Sequence, residues 1–540
     1  MGAWWRGASV YQIYPRSYCD SNGDGIGDLP GIISKLDYIA SLGVDAIWLS
    51  PIHPSPNRDY GYDVADYFGI APELGTMDDF ARLLDEAHQR GLKVILDEVV
   101  SHTSDQHPWF IESRESRHSP KADWYEWQDP KADGSVPNNW LAAFGGPAWS
   151  YWPQRRQYYF HKFLREQPKL NLHNPAVEEA VLGVFDFWLK KGVDGFRLDV
   201  AHSFLHDKML RDNPPIAVDE RTHWHWSHAS NLQDHVFDNG FPADGQVGVE
   251  HRRILDAIRA VCERFEDRFV FAEFAEAPRL LGHFVGDRYG VHSGYTFGFL
   301  YNRDLTPRFV AQEIALYNSF ADLWPCQTFS NHDVPRTVSR YGAGGRDDAL
   351  AKQLLLLLLC LKGTVLLYQG EELGLADAPV GREHIRDPFG ALYYPVFKGR
   401  DPCRTPMPWH SRRAHAGFTS GTPWLPVGPL HGAQAVNEQE GDKDSVLLFA
   451  REAVRFRRES LALRLGGIDV IEAGDQMLAI ERAHGDETLL CVFNLSGEPA
   501  SLELGERAGW MEVGPGSGRA EQAVGMLHLG PRAAFLARKP

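Results

Sequence analysis

Three acidic residues occupy positions from which their side chains could act together on a substrate. Asp199 ends the segment Gly-Phe-Arg-Leu-Asp, Glu273 lies within Phe-Val-Phe-Ala-Glu-Phe, and Asp333 follows Asn-His. Each could instead cap a helix or pair with an arginine, but three such residues together exceed what core packing needs. Retaining hydrolysis of a glycosidic bond requires two carboxyl groups about 5 Å apart, one ionised and one protonated. The residue types therefore indicate acid–base chemistry on a sugar.

The neighbours of two of these acids suggest different protonation states. Arg197 lies two residues before Asp199, on the same face of a predicted strand, where its charge would keep the aspartate ionised. Glu273 lies among apolar residues, so we expect it to hold its proton longer and to act as the acid. Glu276 is a rival for that role, although it lies past the predicted end of the strand.

The elements that must position these residues follow one recurring pattern. An amphipathic helix ends at a glycine (Gly43, Gly91 and Gly192), and a short apolar strand follows. Glycine is the usual helix stop, and wholly apolar strands are typical of a parallel sheet that is buried on both faces. The eight predicted strands are Val10–Tyr14, Ala46–Leu49, Val94–Asp97, Gly195–Asp199, Phe269–Phe274, Tyr295–Leu300, Gln327–Ser330 and Val365–Tyr368. Their alternation with helices predicts a (β/α)₈ barrel, in which functional residues lie at the C-terminal ends of the strands.

Two further units interrupt or follow the barrel. Residues 101–171 are rich in Trp, Tyr, Pro, Asn and Gly and lack helical periodicity, which predicts an irregular insertion after the third strand. After about residue 462, short alternating stretches predict an all-β domain. The predicted fold class is thus α/β, a TIM barrel formed by 1–100 and 172–462, with an insertion at 101–171 and a C-terminal β domain at 463–540.

Composition excludes several functions. The formal net charge of −17 repels phosphate backbones and anionic lipid, so we expect neither nucleic-acid nor membrane partners. Six cysteines without a CxxC pair do not indicate a disulfide framework or a zinc site. Residues Met1–Gln12 lack a long apolar region, and the apolar run Leu354–Leu361 is too short to cross a bilayer. We expect a cytoplasmic protein, and an acidic chain with 12% aromatic residues suits a neutral, polyhydroxylated ligand or a cation.

A second chemical motif is the loop that runs from Asp20 to Asp28. It carries oxygen-bearing side chains at positions 1, 3 and 5, glycine at 6 and an acid at 9, as an EF-hand loop does. Position 12 is Gly31 rather than the bidentate glutamate of a calcium sensor. The spacing favours a structural Ca²⁺, or Mg²⁺, over an Asx-rich turn that binds no metal.

Taken in order, these motifs resemble the α-amylase family of retaining glycosidases (glycoside hydrolase family 13), in its α-glucosidase and oligo-1,6-glucosidase branch. The resemblance covers nearly the whole chain. The motifs that carry it are Tyr11–Ser17 with the metal loop, Asp97–His102, Gly195–Asp199, Glu273, Asn331–Asp333, Tyr368–Glu372 and Arg404–Trp409. The resemblance implies that the insertion is the family's B domain and that the terminal unit is its C domain.

The resemblance also implies roles for individual residues. Asp199 would be the nucleophile, Glu273 the acid/base and Asp333 the carboxylate that stabilises the distorted sugar. The residues implied in substrate binding are Asp59, Tyr62, His102, Phe144, Arg197, His332, Glu383 and Arg400. Among these, Asp59 and Arg400 would close the pocket behind the terminal glucose, Tyr62 and Phe144 would stack on it, and Glu383 would shape the acceptor side. The implied metal ligands are Asp20, Asn22, Asp24, the carbonyl of Ile26, and Asp28.

The chain departs from the family pattern at several positions. Ser101 stands where the family usually has asparagine, and Lys169 stands where it often has aspartate. The second change reverses a charge and puts local B-domain contacts in doubt. Val200 after the nucleophile resembles enzymes that favour α-1,6 bonds, and His202 is unusual nearby.

The function that the resemblance implies is that of an exo-acting α-glucosidase. It would retain anomeric configuration through a covalent β-glucosyl-aspartate, act on short oligosaccharides or α-glucosides, transfer glucose to other acceptors, and need no organic cofactor. The alternative within the family is a sucrose- or maltose-isomerising enzyme. A non-catalytic barrel subunit of an amino-acid transporter is disfavoured because all three carboxylates are present. We expect a monomer or a small homo-oligomer.

Overall fold

In the computed structural model, which describes residues 3–217, 232–241, 249–275 and 281–540, a ring of parallel strands carries the predicted acids. The strands, in chain order, are β1 (Ser9–Ile13), β2 (Ala46–Leu49), β3 (Lys93–Glu98), β4 (Trp127–Gln128), β5 (Trp149–Trp152), β6 (Gln157–Phe160), β7 (Gly195–Leu198), β8 (Phe269–Phe274), β9 (Ser293–Thr296), β10 (Cys326–Gln327), β11 (Thr364–Tyr368), β12 (Gly467–Ala473), β13 (Met477–His484), β14 (Glu487–Asn494), β15 (Ala500–Glu503), β16 (Met511–Glu512), β17 (Ala520–Ala523), β18 (Met526–Leu529) and β19 (Ala534–Arg538).

The α-helices of the described residues pack mainly around this ring. They are α1 (Leu29–Ile33), α2 (Leu36–Ser41), α3 (Met77–Gln89), α4 (Pro108–Glu115), α5 (Pro175–Lys190), α6 (Val249–Cys262), α7 (Leu281–Phe284), α8 (Gly298–Tyr301), α9 (Pro307–Asn318), α10 (Thr337–Tyr341), α11 (Asp348–Cys360), α12 (Pro388–Tyr393), α13 (Val436–Glu440), α14 (Val446–Glu459) and α15 (Leu461–Leu465).

Eight strands form the barrel in the order β10-β11-β1-β2-β3-β7-β8-β9. All neighbouring pairs are parallel, and a parallel bridge between Gly294 and Pro325 joins β9 to the segment before β10. Its interior holds large side chains, among them Trp48, Phe271 and Tyr295, so the barrel is a packed core rather than a channel. The predicted fold class is confirmed.

Two predicted strands are only partly correct, and the first of them, Gln327–Ser330, overlaps β10 at Gln327 alone. Residues Tyr295–Leu300 were expected to form a single strand, but β9 ends at Thr296 and α8 begins at Gly298. A short apolar run does not by itself distinguish a strand from a buried helix. The burial that the run predicted is real, because Phe299 packs against Phe329 with ring centroids 4.8 Å apart.

Local chemistry explains where the long helices start and stop. Helix α3 begins with a capping box, in which Thr76 accepts from the N–H of Asp79 while the Asp79 carboxylate accepts from the N–H of Thr76. Asn174 caps α5, and Pro175 occupies the first helical position. Gly192 then ends that turn with a φ of +102°, which other residues rarely adopt.

The insertion contains more regular structure than its composition suggested. Helix α4 starts at Pro108, and strands β4, β6 and β5 form a small antiparallel sheet. Aromatic rings fill the space between them, including Phe110 stacked on Trp127 at 5.7 Å. Phe110 and Trp127 belong to the same buried cluster as the barrel, and a second cluster around Trp140, Trp149 and Phe160 lies mostly within the insertion, so the insertion is packed onto one side of the barrel mouth.

The C-terminal strands form two antiparallel sheets, β12-β13-β14-β19-β16 and β15-β18-β17. The larger sheet is attached to the barrel by Arg482, which is fully buried and donates to the backbone carbonyls of Cys360, Leu463, Gly466 and Gly467. These contacts bind the two units into one body. The domain limits proposed from the sequence stay a prediction.

Candidate active site

A pocket of about 930 Å³ opens at the C-terminal ends of the barrel strands. The predicted residues that line it are Asp59, Tyr62, His102, Phe144, Asp199, Glu273, Asp333 and Arg400. Arg197 and His332 are fully buried beneath these residues and hydrogen-bonded to them. Glu276 lies outside the described residues.

Arg197 is the charge around which the acids are arranged. It lies on β7, and its Nη1 donates to Asp97 at 2.7 Å and to Asp199 at 2.8 Å. Its Nη2 donates to Glu273 and to the hydroxyl of Tyr295. One guanidinium thus contacts three carboxylates that follow or end three adjacent strands, as the barrel geometry predicts.

A strained turn directs the chain away from the barrel just after Asp199. Strand β7 ends at Leu198, and Val200 adopts a left-handed conformation with φ +39° and ψ +46°. A β-branched residue in that region is strained, and such strain is concentrated at functional sites. The N–H of Val200 donates to Glu273, so the turn also places a donor on the second acid.

Burial and shared charge set the protonation of the two central acids. Burial raises the pKa of Glu273 to about 7, although Arg197 opposes the rise. Burial also raises the pKa of Asp199 well above its ordinary value, and the Arg197 charge lowers it only in part. The expectation that Arg197 alone keeps Asp199 ionised is too simple, because the same guanidinium also serves Asp97 and Glu273. The group retains at least one proton near neutral pH.

Asp333 lies in the opposite electrostatic situation. Burial would raise its pKa, but two arginines contact the carboxylate, Arg400 at 3.2 Å and Arg404 at 2.9 Å, and they hold its pKa well below the ordinary value. His332 lies 3.3 Å from the other carboxylate oxygen and is itself neutral, because burial lowers its pKa. Asp333 is therefore the acid of the site that stays ionised.

Arg400 also closes the far end of the pocket. Its Nη2 donates to Asp59 at 2.5 Å, which joins a loop after β2 to a loop near residue 400. The same guanidinium donates to Asp387 at 2.8 Å, and the backbone N–H of Arg400 donates to the other oxygen of Asp387 at 2.6 Å. Asp387 is fully buried and orients Arg400 from behind. The sequence reasoning missed Asp387.

The predicted histidines are neutral and oriented by a chain of hydrogen bonds. Gln12 donates to Nδ1 of His332 at 2.8 Å, so Nε2 carries the hydrogen and faces the Tyr62 hydroxyl at 2.5 Å. Tyr62 in turn donates to Asp97 at 3.0 Å. Nε2 of His102 lies 2.9 Å from the Tyr62 carbonyl, and burial lowers its pKa to about 3. Both rings can exchange hydrogen bonds without carrying charge.

One wall of the pocket contains residues that the sequence did not single out. Lys162 of the insertion and His235 both contact the Asp238 carboxylate at 2.6 Å. The remaining wall residues are Ala143, Phe163, Gln167, Val200, His202, Ala275, Phe297 and Tyr301. Only Val200 and His202 carried a sequence signal, as neighbours of Asp199. The others come from loops far apart in the chain, and local patterns do not reveal such convergence.

Two predicted features remain, Glu383 and the metal loop, and the metal itself stays a prediction. Glu383 does not line the pocket; it lies in a short 3₁₀ helix, and its side chain is 73% exposed. The metal loop is folded by its own hydrogen bonds, with Asp20 accepting from the N–H groups of Gly23 and Gly25. Asp28 caps α1 through the N–H of Gly31. Within the described ranges, no group of three or more His, Cys, Asp or Glu side chains is arranged to hold a metal ion.

Comparison with known proteins identifies the family. Residues 12–466 match the model of the α-amylase catalytic domain, and residues 468–535 match that of the maltogenic amylase C-terminal domain. The chain belongs to the α-amylase family. The resemblance inferred from its motifs is confirmed.

Two curated relatives of this chain are named as glucosidases. A probable α-glucosidase of Rhizobium meliloti is 49% identical, over 93% of this chain and 91% of the relative. An oligo-1,6-glucosidase of Bacillus cereus is 36% identical, over 94% of both chains. The prediction of an enzyme of the α-glucosidase type, a glycoside hydrolase, is confirmed.

Solved structures add glucosyl-transferring proteins to this group. An α-glucosyl transfer enzyme, XgtA, is 44% identical with a TM-score of 0.96, and the match covers 100% of both chains. A trehalulose synthase, MutB, of Pseudomonas mesoacidophila is 33% identical with a TM-score of 0.89, again over 100% of both chains. One MutB structure contains its substrate sucrose. Hydrolases and transferases therefore share this architecture.

Membrane association finds no support in helix composition. Among the described residues, no helix is both long enough and apolar enough to cross a bilayer. The cytoplasmic location and the oligomeric state stay predictions.

Replacing Asp387 by asparagine tests whether it orients Arg400. The change keeps the shape but removes the charge behind the guanidinium, so we expect kcat/KM on an α-glucoside to fall about 10- to 150-fold, the equivalent of about 1.5–3 kcal/mol for a charged hydrogen bond. The exposed Asp133→Asn in the insertion is the control and should retain wild-type kinetics. Equal kcat/KM for Asp387→Asn and the wild type would refute the orienting role.

Proposed function

We propose that this enzyme is a retaining, exo-acting α-glucosidase that releases terminal α-linked glucose from short oligosaccharides or α-glucosides. The observation that carries the proposal is the single guanidinium of Arg197, which contacts both Asp199 and Glu273 at the base of a closed pocket. Two carboxylates bound to neighbouring nitrogens of one guanidinium lie close together. That arrangement favours a double displacement over an inverting mechanism, which needs a wider gap for water.

In the first step, Asp199 attacks the anomeric carbon while Glu273 gives its proton to the departing oxygen. The bond to the leaving group breaks and a β-glucosyl ester forms on Asp199. In the second step, Glu273 removes a proton from water and the water oxygen attacks the anomeric carbon; the ester bond to Asp199 breaks, which regenerates the carboxylate, and α-glucose leaves. The raised pKa of Glu273, about 7, supports its role as the proton donor.

The residues around these two acids suit a single glucose ring. Asp333 stays ionised and would bind ring hydroxyls and stabilise the positive charge of the transition state. His102 and His332 would donate to hydroxyls once their Nε2 hydrogens exchange their present contacts with Tyr62 for the sugar, and Tyr62 and Phe144 supply aromatic faces. The Asp59–Arg400 pair closes the pocket beyond that ring, which supports removal of one residue at a time.

Transfer of glucose to a second sugar or alcohol is part of the proposal, because water and an acceptor hydroxyl compete for the same ester. The similarity to XgtA supports it. The second candidate is an enzyme that isomerises sucrose or maltose, and the similarity to the trehalulose synthase MutB favours that reading. Both use the same intermediate and differ in whether the leaving group stays bound.

Time-resolved proton NMR of the anomeric region separates these functions. With maltose, isomaltose and sucrose as separate substrates, we expect α-glucose to appear before β-glucose, because two inversions at the anomeric carbon give net retention. New α-linked disaccharide signals that precede free glucose would identify the isomerising or transferring enzyme instead. Initial release of β-glucose would contradict retention, and no change in any of the three would contradict the proposed substrates.

Two variants test the roles of the acids. Asp199→Asn removes the nucleophile, so we expect a loss of kcat of about 10⁴-fold or more with an unchanged unfolding temperature. Glu273→Gln should lower turnover of disaccharides about 10²- to 10⁴-fold but that of activated aryl glucosides far less, because good leaving groups need little protonation.

The pH profile gives a second readout for the same pair. The acid must be protonated to act, so wild-type kcat/KM should fall above about pH 7, while the raised pKa of the nucleophile Asp199 should give a separate decline on the acid side. That alkaline decline should disappear in Glu273→Gln when an activated aryl glucoside is the substrate. Wild-type turnover by Asp199→Asn, or an identical alkaline decline in Glu273→Gln, would refute the assignments.

The proposal includes a structural Ca²⁺, or Mg²⁺, in the Asp20–Asp28 loop. Its donors are all oxygens, which suits these hard cations. Asp20, Asn22, Asp24 and the carbonyl of Ile26 would hold the ion, and Asp28 would contribute from lone pairs not used in capping α1. The ion would brace the loop and take no part in the chemistry.

Chelation tests the metal. Because a ligand that binds only the folded state stabilises it, we expect EGTA or EDTA to lower the unfolding temperature by several degrees and added Ca²⁺ or Mg²⁺ to restore it. Asp24→Ala should have the lower temperature from the start and should not respond to either treatment. An unfolding temperature that neither chelator nor cation changes would rule the site out.

A further inference from the structure

Lys169 is a fully buried lysine at the junction between the insertion and the barrel. Its ammonium donates to two backbone carbonyls, that of Phe204 at 3.0 Å and that of Ser101 at 3.3 Å. Among the described residues, no carboxylate pairs with it. Burial lowers the pKa of Lys169 to about 7, so its charge is costly at this position, and a lysine kept here without an ion-pair partner calls for a reason other than stability alone.

The two carbonyls belong to loops that carry the chemistry. Ser101 immediately precedes His102, on the loop after β3, and Phe204 lies five residues beyond Asp199, on the loop after β7. The backbone of Lys169 pairs with His102 in an antiparallel bridge, and the N–H of Leu170 also donates to Ser101. The Lys169 side chain is thus a tie between the loop of His102 and the loop of the nucleophile.

The same segment reaches the closed end of the pocket. Gln167, two residues earlier, donates to Asp59 at 3.3 Å and to the Tyr62 carbonyl at 3.2 Å. Residues 167–169 therefore contact three separate loops that surround the sugar site. A small displacement of this segment would move His102 and Asp199 relative to each other, and misplacement by about 1 Å can cost a factor of about 100 in rate.

The charge has a second effect on the histidines of the pocket. Burial lowers the pKa of both His102 and His202 to about 3; the Lys169 ammonium acts in the same direction on His102, and on His202 it adds to the larger effect of Lys162. Nε2 of His102 donates to the Tyr62 carbonyl, which leaves Nδ1 to accept from the Ser101 hydroxyl at 2.7 Å. The ammonium thus favours the neutral ring whose orientation these two contacts define.

We propose that Lys169 is a positioning residue for the reaction: its ammonium holds the His102 loop and the Asp199 loop in register, and turnover depends on it. The inference rests on the proposed glucosidase function. The proposal also accounts for the positive charge of Lys169 at a position where the family often has aspartate, because an aspartate there would repel both carbonyl oxygens.

Steady-state kinetics of Lys169→Met test the proposal. Methionine keeps the length and burial of the chain without donors, so we expect kcat on an aryl α-glucoside to fall about 100-fold while KM changes less than about threefold. Lys362→Met, a half-buried lysine just before β11 at the opposite end of the barrel, is the matched control and should keep wild-type values. Unfolding temperatures of all three proteins show whether the fold is retained.

Chemical rescue separates positioning from packing. In Lys169→Ala, ethylammonium or propylammonium should restore kcat at least tenfold, whereas propanol and tetramethylammonium should not, because only the primary ammonium donates hydrogen bonds to both carbonyls. Wild-type protein with the same additives corrects for inhibition by amines. Wild-type kcat in Lys169→Met, or a loss that amines do not restore, would overturn the proposal. If wild-type enzyme fails to turn over any α-glucoside, the proposed function itself has failed.

Discussion

One buried guanidinium, that of Arg197, is the interaction on which the rest of the site depends. Three carboxylates cannot be buried together near the end of a barrel without a cation, because each loses its hydration and repels the others. Arg197 contacts Asp97, Asp199 and Glu273 at once, from a strand position whose side chain points into the barrel mouth. It is therefore a structural requirement as well as an electrostatic one.

The distribution of arginines over the acids also separates their roles. Arg197 is shared among three carboxylates, so it only partly offsets their burial; their pKa values rise and a proton stays in the group. Asp333 accepts from two arginines, Arg404 and the Arg400 that it shares with Asp59 and Asp387, and its pKa falls. The three carboxylates around Arg197 and the two arginines beside Asp333 thus keep a protonated acid and an ionised carboxylate in one small pocket at the same pH. That is the condition for acid–base catalysis with two similar side chains.

The sequence was sufficient for the parts of the structure that depend on local patterns. Apolar strands after helix-ending glycines predicted the barrel, and the residues at strand ends predicted the acids, because period and position along one element carry that information. Asp387 and the Lys162–Asp238 pair were not predictable in this way. They act through contacts between loops separated by 13 and 76 residues. The same limit applies to Glu383. It was assigned to the pocket from a motif, and no local pattern predicts the path of the loop that carries it.

Chemistry and selectivity are therefore built from different parts of the chain. The acids and Arg197 lie at strand ends, where the hydrogen-bonded barrel holds them rigidly, and the surrounding walls come from loops and the insertion. The wall segments are joined by polar ties as well as by the aromatic packing of the insertion: Lys162 with Asp238, Arg400 with Asp59, and Lys169 with two carbonyls. Such ties depend on direction as well as distance, so changes in a wall loop alter the shape of the pocket and, through Lys169, the relative positions of His102 and Asp199. A shared barrel with walls that can vary accounts for the nearly identical folds of this chain and XgtA, an α-glucosyl transfer enzyme, although curated relatives of the chain are named glucosidases.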